Sequence, residues 1–241
     1  MDTAMLRDDM VAGLEHESKA VVESERVSAA MRTVPRHEFV DDAAAYADHT
    51  LEHAGTRVLA PSTAARLVEA LAPESGDRVL VVGAGVGYTA AICAAIAGEH
   101  NVHAVDISRR LVIDARRNLA RAGYDGVLVD RRDGTHGLAE YAPFDRILVE
   151  AAAVRPPRAL EDQLAADGRL VLPVGTHDQS LVAVEGGTTE RFGPVSFAPL
   201  LVEGEQSDTV ERNRTHREDR ERAERTAQRR TGWEHDWIDW E

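Results

Sequence analysis

The chain has 241 residues, 43% of them hydrophobic, and its 42 acidic against 28 basic side chains give a formal net charge of −14. That length and apolar content support one substantial core, and the negative balance disfavours binding to a nucleic-acid backbone through bulk charge. No apolar run approaches the roughly 20 residues that span a bilayer, the first residues lack a signal-peptide pattern, and the single cysteine, Cys93, excludes an internal disulfide.

A cytoplasmic protein with no membrane partner is therefore expected. Lys19 is the only lysine, so the basic side chains are almost all arginine. Such an acidic, lysine-poor surface suits a halophilic protein, kept soluble where concentrated salt screens its self-repulsion. An ordinary acidic protein rich in arginine codons has the same composition.

In chain order, residues 4 to about 32 carry helical periodicity and end before Pro35. Residues 36–61 show no long period and read as irregular. His49 and His53 have a spacing that could suit a metal, but no third ligand accompanies them and no metal is expected. Next comes "STAARLVEALA", a helix with Ser62 as its candidate N-cap. From 78 onward strands alternate with helices: strands at 78–83, 101–106, 126–131, 145–150, 168–174 and 180–185, helices at 88–98, 108–122 and 156–166. The middle strands are near-continuous apolar runs, as in a sheet covered on both faces. The fold class is α/β, a doubly wound and mostly parallel sheet with N-terminal helices.

Near Ser207 the composition changes. "ERNRTHREDRERAERTAQRR" is polar all round, and "TGWEHDWIDWE" holds all three tryptophans. Trp233, Trp237 and Trp240 would share one face of a helix, packed back on the body or offered to a partner or a second copy. The chain thus divides into a body, 1–206, and a charged helical extension, 207–241.

The chemistry concentrates in "RVLVVGAGVGYTAAI" (78–92). A Val/Leu strand runs into a turn with Gly83, Gly85 and Gly87, then an Ala-rich helix, and such a turn lets backbone N–H groups approach a ligand. A dinucleotide loop would carry glycine where Tyr88 stands; the G-x-G-x-G spacing is typical of loops that bind S-adenosylmethionine. The next strand ends in Asp106, whose carboxylate can accept both ribose hydroxyls of a nucleoside; its other role would be to cap the helix that follows. Asp133-Gly134 ends a third strand, where it can meet an adenine edge or form a simple turn. Cys93 and His136 lie nearby and read as a small core residue and a solvated loop residue.

Four stretches carry a resemblance: "AMRTVPRHEFV" (30–40), "AYADHTLEHAG" (45–55), "APFDRILVEAAAVRPPRALEDQLAADGRLVLPVG" (142–175) and "PVSFAPL" (194–200). With them the chain resembles the protein-L-isoaspartate (D-aspartate) O-methyltransferase family over about residues 5 to 206. The resemblance implies an enzyme that takes a methyl group from S-adenosylmethionine. The acceptor it implies is the isoaspartyl or D-aspartyl carboxylate of damaged protein or peptide substrates. It implies that Gly83, Gly85 and Gly87 line the methionine side of the cofactor. Asp106 would take the ribose, Asp133 and Gly134 the adenine, with Gln206 near the cofactor and Ala151-Ala152-Ala153 near the acceptor.

Two positions depart from that pattern. The family places a serine at the acceptor site where this chain has Leu59, which cannot donate a hydrogen bond; Thr56, Ser62 or Thr63 are the hydroxyls that could orient the acceptor instead. The family also carries an acid two residues before the first loop glycine, where Val81 stands here; Asp77 and Glu150 are candidates to replace it. These departures keep two other readings open: a diverged methyltransferase with another acceptor, and a non-catalytic binding protein of the same fold.

Overall fold

The computed structural model describes residues 2–40 and 44–202. Gln206 and the whole 207–241 extension, with its tryptophans, lie outside the described residues.

The expected helix over 4–32 is two helices. The first, α1 (Thr3–Glu15), starts where the Asp2 carboxylate accepts from the Ala4 N–H at 3.0 Å. The chain then folds back, with the Val21 and Val22 N–H groups both donating to the Leu14 carbonyl. It restarts as α2 (Glu25–Thr33), where Ser24 Oγ accepts from the Val27 N–H at 3.3 Å. A capping serine inside a helical pattern marks a new start. Residues read as irregular contain a short hairpin, β1 (Leu51–His53) against β2 (Thr56–Val58). Helix α3 (Pro61–Leu71) follows, and its cap is Ala60 rather than Ser62. Pro61 takes the first helical position, where its missing N–H costs nothing.

The α/β body continues as β3 (Val79–Val82), α4 (Tyr88–Ala97), β4 (Val102–Asp106), α5 (Arg109–Ala122), β5 (Leu128–Arg131) and β6 (Phe144–Val149). It ends with α6 (Arg158–Glu161), β7 (Leu164–Val174), β8 (Gln179–Glu185) and β9 (Thr188–Val195). The helix expected over 156–166 is only the four residues of α6, because from Leu164 the chain already belongs to β7 and pairs with Phe144. Strand β9 was not anticipated; its exposed, polar sequence has no apolar run to announce it.

The seven strands lie in the order β5-β4-β3-β6-β7-β8-β9. Those from β5 to β7 are parallel, and β8 and β9 return antiparallel at one edge. Val79, Val81, Leu148 and Val171 face one layer, packed with Leu67, Leu71 and Ile92 of α3 and α4. Leu80, Val82, Ile147 and Leu170 face the other, against Leu138, Phe144 and Leu160. Burial on both faces explains the unbroken apolar runs. From β3 the chain winds outward through β4 and β5, then returns to β6 on the other side of β3. The strand order therefore reverses between β3 and β6, and open α/β sheets bind ligands at the carboxyl ends of such a pair.

Among the described residues, no helix is long and apolar enough to cross a membrane.

Candidate functional site

Three loops meet at that switch point. The first is the glycine turn after β3. Gly83, Gly85 and Gly87 have φ of 89°, 54° and 93°, left-handed values that favour glycine. The Gly83 and Ala84 N–H groups donate to the Val105 carbonyl at 2.8 and 3.0 Å, tying the turn to the end of β4. A Cβ on Gly87 would stand 3.3 Å from Leu119 of α5, whereas one on Gly85 would meet only the Gly83 carbonyl oxygen, at 3.9 Å. Gly87 thus serves close packing, and Gly85 keeps the outer side of the turn open.

The second loop follows β4. Asp106 is 7% exposed. Its Oδ2 accepts from the Gly85 N–H at 2.9 Å and its Oδ1 from the Ser108 N–H at 2.8 Å. The cap of α5 is Ser108 itself, whose Oγ accepts from Leu111. Asp106 is therefore a brace between β4 and the glycine turn, not the helix cap. Burial raises its pKa, outweighing the two backbone donors that lower it. A carboxylate has about four acceptor sites, so two remain for a pair of ligand hydroxyls.

The third loop follows β5. Asp133 Oδ1 accepts from both the N–H (2.9 Å) and the hydroxyl (2.6 Å) of Thr135, fixing a single tight turn. Gly134 is buried against β3: a Cβ there would fall 2.2 Å from Val82 Cγ1. Gly134→Ala should therefore push this loop off the sheet, since overpacking costs about 1–3 kcal/mol or more. The expected result is a melting temperature lower by several degrees together with weaker cofactor binding, read by thermal denaturation and calorimetry. Beside this loop lies a cavity of about 390 Å³, lined by Ile107, Arg131, Arg132, Asp133 and His136 among others. His136, read as a solvated loop residue, forms part of its wall. Ile107 and the two arginines were not anticipated; only their position after strand ends could have marked them.

The charge of the site discriminates between ligands. Asp106 and Glu150 both stand at the glycine turn, and Glu150 Oε1 is sealed from solvent without a hydrogen-bond partner. A dinucleotide would bring its pyrophosphate to this turn, against the Asp106 carboxylate and beside a Glu150 carboxyl that it would hold in the protonated form. S-adenosylmethionine brings a sulfonium and an ammonium there, and ribose hydroxyls toward Asp106. The residues present fit that cofactor: glycines at the turn, an acid with spare acceptor sites, and a cavity beyond it beside Ile107 and Asp133.

On the acceptor side, Arg36 organises the backbone. Its guanidinium is fully buried, with Nε donating to the Ala45 carbonyl at 2.8 Å and Nη2 to the Leu59 carbonyl at 2.7 Å. It also lies 4.5 Å over the ring of Tyr88, the residue after Gly87. Leu59 is thereby linked to the cofactor turn, while its side chain is half-buried against the core. Ser62 donates its N–H to Asp48 Oδ1 at 2.9 Å. Burial pushes the Asp48 carboxyl up, and the bonds from Lys19 and Ser62 outweigh it to hold it below the usual range. Thr63 lies one residue further along α3, and Thr56 in β2. Ala152 is stitched to the "FAPL" stretch, its N–H donating to Ala198 and its carbonyl accepting from Leu200, both at 2.8 Å, and Ala153 to the end of β7. His53 pairs with Asp114 of α5 at 3.1 Å, which ties the hairpin down. Cys93 is fully buried, and burial raises its thiol pKa. Asp77 pairs with Arg146 at 3.3 Å, away from the turn.

The family model "Protein-L-isoaspartate(D-aspartate) O-methyltransferase" matches residues 7–200. A protein-L-isoaspartate O-methyltransferase of Methanocella arvoryzae is 45% identical over 181 residues, 71% of this chain and 96% of that one. One of Methanospirillum hungatei is 42% identical over 189 residues, covering 75% and 87%. Among solved structures, a Plasmodium falciparum member in complex with S-adenosyl-L-homocysteine superposes with a TM-score of 0.74 at 22% identity, over 81% of this chain and 98% of that one, which bears on the fold.

Proposed function

This chain belongs to the protein-L-isoaspartate(D-aspartate) O-methyltransferase family, and from that premise we propose that it methylates the carboxylate of L-isoaspartyl and D-aspartyl residues in damaged proteins. The methyl donor is S-adenosylmethionine. The observation that carries this reading is the switch point itself, where the glycine turn, Asp106 and the Asp133 loop converge in a setting rich in acids.

When bound, S-adenosylmethionine supplies an electrophilic methyl group on a sulfonium that departs as a neutral thioether. The acceptor carboxyl, with a pKa near ~4, is already ionised at neutral pH, so the chain needs no strong general base. What remains for the protein is positioning. Asp106 is read as the group that receives the ribose hydroxyls, while its bonds to Gly85 and Ser108 hold the turn in shape. Asp133 and Gly134 border the adenine end. Arg36 fixes the backbone at Leu59, where the acceptor is brought up, and Thr56, Ser62 and Thr63 carry the hydroxyls read as orienting it. The small side chains of Ala151 to Ala153 let a peptide backbone come close. On the ester, attack by the following backbone nitrogen gives a succinimide and releases methanol, and hydrolysis of that ring can return a normal aspartyl linkage.

The test is incubation of the full chain with S-adenosylmethionine and isoaspartyl peptides in concentrated salt, reading base-labile methyl ester as released methanol. Methanol above the level seen with the matching aspartyl peptides is expected. Its absence across a panel of isoaspartyl sequences would move the reading to a different acceptor, which Leu59 is the one feature to favour. We also read the protein as cytoplasmic, residues 1–206 as the catalytic unit and 207–241 as an extension that could mediate self-association. The end of the family match at residue 200 supports that division.

A further inference from the structure

One carboxyl at the switch point has no use in this account. Glu150 follows β6 directly, and its N–H donates to the Val82 carbonyl at 2.8 Å, which sets it beside the end of β3. The strands pair Val81 with Leu148 and Val82 with Val149. Side chains alternate along a strand, so Glu150 emerges on the same face as Leu148 and Val81. A Cβ on Gly83 would stand 3.5 Å from Glu150 Cβ, so the side chain lies directly against the first residue of the glycine turn.

Among the described residues, Oε1 of this carboxyl is sealed from solvent without a hydrogen-bond partner, and the Thr89 hydroxyl in the first turn of α4 is near enough to favour the charged form. Among the described residues, the ionisable groups facing it are Asp106 at the end of β4 and Cys93 on α4, neither of them a cation. Burial pushes the carboxyl pKa up to about 8, the Thr89 hydroxyl opposes this, and the nearby Asp106 charge adds to the rise. A buried polar oxygen without a partner is costly. Here it sits where a ligand with positive charge would satisfy it.

Building on the S-adenosylmethionine reading above, we propose that Glu150 receives the positively charged methionine end of the cofactor, supplying from β6 the carboxylate that β3 lacks at Val81. The acid and its partner strand have exchanged, while the face and the end of the sheet are the same.

The test is calorimetric binding of S-adenosylmethionine and S-adenosylhomocysteine to the full chain, wild type, Glu150→Gln and Glu150→Asp, between pH 6 and 7.5. In that window the free carboxyl of the wild type holds a proton that a positive group must displace. Affinity should therefore rise by close to tenfold per pH unit, with about one proton released per ligand, seen as heat that varies with the buffer's ionisation enthalpy. Glu150→Gln should bind at least about tenfold more weakly at pH 7.5, with the pH slope and the proton release gone, the loss of one charge-assisted contact. Glu150→Asp should keep the slope at reduced affinity. Equal losses for both ligands assign the ammonium as the partner, and a loss confined to S-adenosylmethionine assigns the sulfonium. The stability readout runs the other way. A carboxyl raised from an ordinary 4.5 to about 8 costs stability as pH climbs between those values, so Glu150→Gln should match or exceed the wild-type melting temperature, increasingly so toward pH 8. Unchanged affinity and slope in Glu150→Gln overturn the proposal. A wild type that binds neither ligand overturns the functional reading instead.

Discussion

Asp106→Ala should reduce S-adenosylmethionine affinity by about 10² to 10⁴, the largest loss from any single cofactor-side change. Two hydroxyl donors to a carboxylate are worth about 1.5–3 kcal/mol each, and 1.4 kcal/mol is tenfold in affinity. The same substitution frees the Gly85 N–H, which Asp106 Oδ2 holds at 2.9 Å, so the turn loses its brace as well as the ligand its partner. Asp106→Asn tests which matters. An amide presents one acceptor and one donor, and both oxygens here accept from backbone N–H groups, so the amide must face one of them donor to donor. It should lie close to the alanine variant rather than midway. The measurement is calorimetry with the cofactor, alongside thermal denaturation. Stability should change little, because the carboxyl is buried with a raised pKa and its removal also relieves that burial. A large loss of stability with unchanged affinity would reassign Asp106 from the cofactor to the fold.

The cofactor side was legible because strand ends carry their own signals. Glycines that need left-handed φ, an acid about one βα unit further on, and an Asp-Gly after the third strand each have a local cause, and the parallel sheet brings them together. What the sequence left open depends on contacts across the fold. Strand position alone offers Asp77 and Glu150 equally as replacement acids, and only the pairing of β6 with β3 sets Glu150 against Gly83 while Asp77 pairs with Arg146. Arg36 carries no local signal of its role, yet it is fully buried and holds the carbonyls of Ala45 and Leu59. Ser62 illustrates the reverse error: it has the right chemistry for a cap, but the helix already starts at Pro61 and its cap is Ala60. The segment 156–166 shows periodicity yielding to strand pairing, since Leu164 completes the sheet beside Phe144.

Leu59→Ser should raise kcat/KM for isoaspartyl peptides by about 10²-fold, with most of the gain in kcat. A donor that positions a reacting oxygen is worth ~10²–10³ in rate when removed, so restoring one should recover much of that range. The backbone favours the experiment. The Leu59 carbonyl is held by Arg36 Nη2 at 2.7 Å, a contact that does not involve the side chain, so a serine inherits the same main-chain position. The leucine side chain is half-buried against the core, and trimming it should cost about 1–2 kcal/mol, a few degrees in melting temperature. Leu59→Ala separates the effects: it should lose the same stability and gain no rate. Kinetics on the three proteins with isoaspartyl and aspartyl peptides read the result through methanol release. A serine variant no faster than the alanine variant would mean that Thr56, Ser62, Thr63 or backbone donors already orient the acceptor. Leu59 would then be a neutral packing residue of this chain, and its enzyme would owe nothing to a hydroxyl at that position.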